Sequence, residues 1–192
     1  LLAVLFAVAG ILFCMLLHKS ADLFGKWFPN PYLRVIAGGV AVILLALLLH
    51  TSDYLGLGEA ILKDSFVNVQ SPERFLLKMI FTCFTLSSGF KGGEIVPSLF
   101  IGATLGSALS PILSLPANLC AGCGMVGVFC AVTNCPVSSM LIAAELFGFA
   151  GMPYYCVVIA VCYLISGYKS LYHAQTIVYS KTENKYVNRP TE

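Results

Sequence analysis

GFKGGEIVPSLFIGATLG, residues 89–106, sets a lysine, a glutamate and three closely spaced glycines directly ahead of an apolar run. Glycine, proline and charge at that junction predict a loop that ends in a helix start near Glu94. A helix start leaves amides without partners and carries the positive end of the helix dipole, so it attracts an anion. Gly92 and Gly93 would let the backbone approach such an anion closely, and the amides of Glu94, Ile95 and Val96 are the candidate donors. Pro97 has no amide to offer, at a position where the first helical turn tolerates its absence.

The surroundings of this junction are those of a membrane protein. Of the 192 residues, 58% are hydrophobic and 10% are charged, against the roughly 25% charge of a soluble domain; the mean hydropathy is +0.88. Residues 1–17, 35–49, 95–144 and 146–168 contain no Asp, Glu, Lys or Arg, and each run can hold at least one apolar helix of about 15 to 20 residues. Pro111, Pro116, Gly122, Gly124 and Pro136 cut the longest run into three pieces, some short for a full span. Backbone freed by such breaks at membrane depth must be satisfied by protein or by a polar cavity, which suits a transporter or channel better than an anchor. The net charge is +2 with scattered Lys and Arg, which argues against a nucleic-acid partner. The same even spread leaves the membrane orientation open.

Along the chain the pattern predicts helices over about 2–17 and 33–49, separated by a polar connector at 18–31 that ends in FPNPY. A loop with a short interfacial helix is expected at 51–70. Ser71 is the expected N-cap and Pro72 the first position of a helix running to about residue 86. Further helices are expected at about 94–110, 116–131, 136–147 and 153–165, with a last one from about Leu171. With no period-two pattern, the fold class is all-α.

The stretch GGEIVPSLFIGATLG resembles the G-x-F-x-P element and following small-residue helix of the CLC family of chloride channels and anion/proton exchangers. TNCPVSSMLIAAELFG resembles the penultimate membrane segments of that family with their internal Glu, here Glu145, and GYKSLYHAQ resembles the start of its final helix. The resemblance implies a bundle of tilted, partly discontinuous helices forming the second half of an inverted-repeat subunit, with residues 1–192 a C-terminal half whose N-terminal part is missing. It implies anion sites lined by the amides of Glu94, Ile95 and Val96 and by the Tyr172 hydroxyl. It also implies a multi-pass location in a bacterial plasma membrane, a homodimer, and no transport by this half alone.

Lys91 and Glu94 within GFKGGE resemble the fluoride-exporting branch, which implies fluoride/proton antiport; chloride conduction or chloride/proton exchange is the alternative within the family. Val96 stands where that branch carries Thr, and Ile95 where the broader family carries Phe, a change that leaves a backbone site intact. Glu94 is open to two readings, a helix-stabilising acid in an aqueous vestibule or a group that takes part in gating. Lys91 is either a solvated loop charge or a contributor to the ion path.

Other chemistry is thinly supported. Eight cysteines include Cys120 and Cys123, but no second CxxC or nearby His completes a metal site, so neither metal nor cofactor is expected. His18, His50 and His173 flank apolar segments with no partner acid or Ser at a catalytic spacing. An intramembrane enzyme and a non-transporting scaffold are the remote alternatives. Glu145 is expected as a buried hydrogen-bonding group, and Tyr154, Tyr155, Tyr163 and Tyr168 as interfacial aromatics.

Overall fold

A computed structural model describes residues 1–172 and 174–191. Eight helices follow one another: α1 Leu2–Trp27, α2 Pro31–Leu48, α3 Glu59–Asp64, α4 Glu73–Ser87, α5 Ile95–Leu113, α6 Ala117–Thr133, α7 Pro136–Phe147 and α8 Met152–Ile165. Strands β1 Thr176–Tyr179 and β2 Tyr186–Pro190 close the chain as an antiparallel hairpin. Three helices, α1, α2 and α5, are long and apolar enough to cross a membrane.

Helix α6 is the centre of the bundle. It is apolar on every side, a pattern that belongs to a fully enclosed helix, and every residue from Cys120 to Thr133 is buried. Around it, α1 contributes Phe6 and Phe13, α5 contributes Ile101, and α8 contributes Ile159, all in one core cluster. In lipid the hydrophobic effect gains little from bringing apolar helices together, so close backbone approach and dispersion hold the pair. Helices α5 and α6 meet in that way through Gly102 and Gly106, spaced as G-x-x-x-G. A Cβ added at Gly102 would lie 2.2 Å from the Gly124 carbonyl oxygen, and one at Gly106 would lie 2.1 Å from that of Cys120.

Helix α2 is the opposite case, apolar all round beyond Arg34 in its first turn, yet with Gly38 its only buried residue. A helix of that composition with that exposure belongs against lipid or further protein. Its start is capped by the Asn30 side chain, which accepts a hydrogen bond from the Tyr32 amide at 3.0 Å.

Several expectations are corrected. The polar connector shrinks to residues 28–30, because Lys19, Asp22 and Lys26 are helix-compatible and reach solvent from the last turns of α1. Pro72, not Ser71, occupies the N-cap of α4 and makes no side-chain cap bond. No helix starts at Leu171. The Leu171 amide instead donates to the Val132 carbonyl at 2.9 Å, and the β-branched and aromatic TIVY and YV segments pair as strands, so the all-α fold carries a small β-hairpin. Glu145 is exposed rather than buried, because α7 turns Ser139 and Ala143 inward instead. Tyr155 is no interfacial aromatic: it is 5% exposed and packs in the core, in the space left by Gly122 and Gly151. His173 lies outside the described residues.

Candidate functional site

The glycine loop connects α4 to α5, and α5 begins where the sequence places it. Glu94 is the N-cap of α5, with φ −89° and ψ −19° and no side-chain cap bond. The helical ladder opens with the Ser98 amide donating to the Glu94 carbonyl at 3.2 Å. The amides of Ile95 and Val96 therefore precede the first rung, as the first turn of any helix requires. Lys91, Gly92, Gly93 and Ile95 are exposed, while Glu94, Val96 and Pro97 are half-buried. A Cβ at Gly93 would meet nothing within 4 Å, so the backbone there is open to approach.

Tyr172 reaches this region from the far end of the chain. Its segment is held by the carbonyls that end α6, where Asn134 sits in the left-handed region at φ 56° and stops the helix. The Ser170 hydroxyl lies 3.2 Å from the Val132 carbonyl and 2.7 Å from the Gln175 side-chain oxygen, and the Gln175 side-chain amide donates to the Thr133 carbonyl at 3.0 Å. The Asn134 side-chain amide donates to the Lys169 carbonyl at 2.6 Å. The hairpin adds a clasp from the other side, as the Thr191 hydroxyl donates to the Tyr172 carbonyl at 2.6 Å.

The hairpin itself is pinned by Lys181, whose ammonium donates to Asn134 Oδ1, to the Tyr163 carbonyl at 2.7 Å and to Ser166 Oγ at 3.0 Å. It also lies 4.1 Å from the centroid of the Tyr163 ring. Burial pushes the Lys181 ammonium down to about 8.

The Tyr172 phenol is 40% exposed and is held above its usual range, first by desolvation and then by the Glu94 carboxylate. Two of the residues singled out in sequence, 78 positions apart in the chain, thus come within electrostatic reach of each other. A raised phenol stays protonated at neutral pH and remains a hydrogen-bond donor. Lys91 is exposed in the loop. His50 lies exposed beyond the end of α2 with φ 51°, and His18 is half-buried on α1 beside Met15, Lys19 and Lys169.

One residue escaped the sequence reading. Lys78 is 1% exposed on α4 and borders a cavity of about 490 Å³ that Gly92, Gly93 and Pro97 also line. The available signal was a lone lysine inside the apolar FLLKMIF, residues 75–81.

The family model "Voltage gated chloride channel" matches residues 1–167. A "Chloride/fluoride channel protein" of Pseudomonas syringae pv. tomato is 39% identical over 184 residues, covering 93% of this chain and 41% of that protein. The "H(+)/Cl(-) exchange transporter ClcA" of Vibrio cholerae is 28% identical over 159 residues, covering 76% of this chain and 34% of the relative. Among solved structures, a "CLC-type fluoride/proton antiporter" superposes with a TM-score of 0.86 at 35% identity, covering 89% of this chain and 44% of that one. The chain spans less than half the length of each of these relatives. Long apolar helices and this kinship make it part of a multi-pass membrane protein, and the chain belongs to the voltage-gated chloride channel family, the CLC family, where it groups with the fluoride/proton antiporter and the chloride/fluoride channel protein just described.

Proposed function

We propose that residues 1–192 form the C-terminal half of a CLC-type subunit that exports fluoride in exchange for protons across a bacterial inner membrane, working as a homodimer with one path per subunit. The observation that supports this reading is the likeness to a fluoride/proton antiporter at 35% identity and a TM-score of 0.86, joined to a helix start at Glu94 behind an open glycine loop. Fluoride is small and strongly hydrated, so it leaves water only for several short hydrogen bonds. The amides of Glu94, Ile95 and Val96 and the Tyr172 hydroxyl supply such bonds without a fixed cation that would trap the ion. Gly92 and Gly93 keep the approach open, and Pro97 continues the turn without needing an acceptor.

Glu94 is stabilised as an anion by the helix dipole and sits where a carboxylate can exchange a proton with the path. In this role it is neutral while fluoride occupies the neighbouring amides and charged when they are vacant. Lys91, exposed in the loop, raises the anion concentration at the mouth. No nucleophile and base pair is invoked, since the path needs binding and release rather than bond chemistry.

The test is paired fluoride and chloride efflux from liposomes containing the complete polypeptide, read with ion-selective electrodes. Fast fluoride with slow chloride supports the proposal. Fast chloride would instead favour the activity named for the Vibrio relative and would make Val96, in place of Thr, a functional difference. No flux of either ion would overturn both readings.

A further inference from the structure

We propose that the cavity between α2, α4 and the glycine loop is a binding site for an amphiphilic monocarboxylate of the fatty-acid class, with the carboxylate against Lys78 and the alkyl chain along the apolar walls. Lys78 is the reason. Its ammonium donates to the Gly56 carbonyl at 2.7 Å and the Tyr54 carbonyl at 3.2 Å, and lies 5.1 Å from the centroid of the Phe100 ring. An ammonium has three N–H donors, and both acceptors here are neutral. Among the described residues no carboxylate pairs with it.

A buried cation without a counter-charge is costly, and lysine is almost never fully buried unless paired. An anion supplied from outside would remove that cost. The cavity is built to take more than a bare halide. Its volume of about 490 Å³ lies within the roughly 300 to 1,000 Å³ of small-molecule sites, which are mostly apolar with a few placed polar groups. Val42, Leu55, Phe81 and Leu86 supply apolar wall, and Thr82 and Thr85 line it one and two turns beyond Lys78 on α4. A halide would leave that wall unused. At about 30 Å³ per small group, the share of a water molecule in the liquid, the space accommodates a carboxylate with a chain of about ten carbons.

Because Gly92 and Gly93 also line the cavity, an occupant lies beside the proposed anion path. Inhibition of efflux by the bound acid would rest on that proposal, whereas binding itself does not.

The experiment is equilibrium binding of radiolabelled decanoate to the purified complete polypeptide in a neutral detergent, with decanol as competitor. Saturable binding is expected, resisted weakly by decanol, retained in Lys78→Arg and weakened about tenfold or more in Lys78→Met, the usual consequence of truncating one side of a buried charge pair. Should Lys78→Met fail to fold, Val42→Trp fills the same cavity without touching the ammonium and is expected to abolish binding. Non-saturable uptake, equal competition by decanol, or unchanged affinity in Lys78→Met or in a folded Val42→Trp would each overturn the site and leave Lys78 as a tie for the 54–56 loop. A protein that binds decanoate but moves no fluoride would sink the transport reading and spare this one.

Discussion

Replacing Gly102 by Ala separates two opposing effects whose sizes differ. Alanine is the better helix former and gains about 1 kcal/mol over glycine in a helix interior. Against that, the new Cβ would lie 2.2 Å from the Gly124 carbonyl oxygen, 2.7 Å from its carbonyl carbon and 2.8 Å from the Met125 Cα. All three are backbone atoms, so no rotamer change relieves the clash, and α5 and α6 must part by about 1 Å to regain ordinary contact. A gap of that size forfeits a quarter to a half of each dispersion contact it opens, and overpacking of this kind costs about 1–3 kcal/mol or more. The interface runs past Ala103, Gly106, Ala121 and Gly124, where little side chain can flow in to fill the gap. Because the obstructing atoms are backbone, the overpacking cost is expected at the upper end of that range, about 3 kcal/mol, which leaves a net cost of about 2 kcal/mol once the propensity gain is subtracted. The measurement is the thermal midpoint of the complete polypeptide in detergent, followed by monodispersity on size exclusion. Gly93→Ala is the matched control, since a Cβ there meets nothing within 4 Å, and its midpoint should stay at the wild-type value. Equal midpoints for Gly102→Ala and Gly93→Ala would refute the claim that backbone contact at these glycines holds α5 against α6.

Three further outcomes are expected. Tyr172→Phe keeps the ring but removes a donor to an ion, a bond of about 1.5–3 kcal/mol, so the fluoride concentration for half-maximal efflux should rise about tenfold or more while chloride flux stays low; an unchanged value would remove Tyr172 from the path. Thr191→Val loses the bond to the Tyr172 carbonyl, worth about 1 kcal/mol, and should speed chymotryptic nicking of the tail with the thermal midpoint of the bundle unmoved. Lys181 sits at about 8 in the folded chain and near 10.4 when unfolded. Between those values the unfolded state binds more protons at this site, so the contribution of Lys181 to stability should rise with pH from about 8 to 10 and lie flat below, a trend to be read as the growing difference in urea midpoint between the wild type and Lys181→Met.

The sequence by itself determined the solvent and the punctuation. Long charge-free runs demand lipid, because each backbone must close its own hydrogen bonds there, and the breaks at Pro29, Pro31 and Pro136 fall where helices end or begin. The start of α5 at the glycine loop was legible for the same reason, since caps and breakers are local chemistry. Which face of a helix turns inward was not local. α7 and α8 are apolar on most sides, so nothing in their pattern said that Glu145 would face out and Tyr155 in; the vacancies left by Gly122 and Gly151 decided the second. The segment after Tyr168 was misread as a helix because its fate depends on the carbonyls of Val132 and Thr133, some forty residues earlier, which capture Leu171 and Gln175. Lys78 hides in an apolar helix for the same reason: its acceptors, Tyr54 and Gly56, belong to a loop more than twenty residues away. Only the tertiary structure could bring such partners together, since a hydrogen bond or a cavity is a fact of distance and the chain records only order.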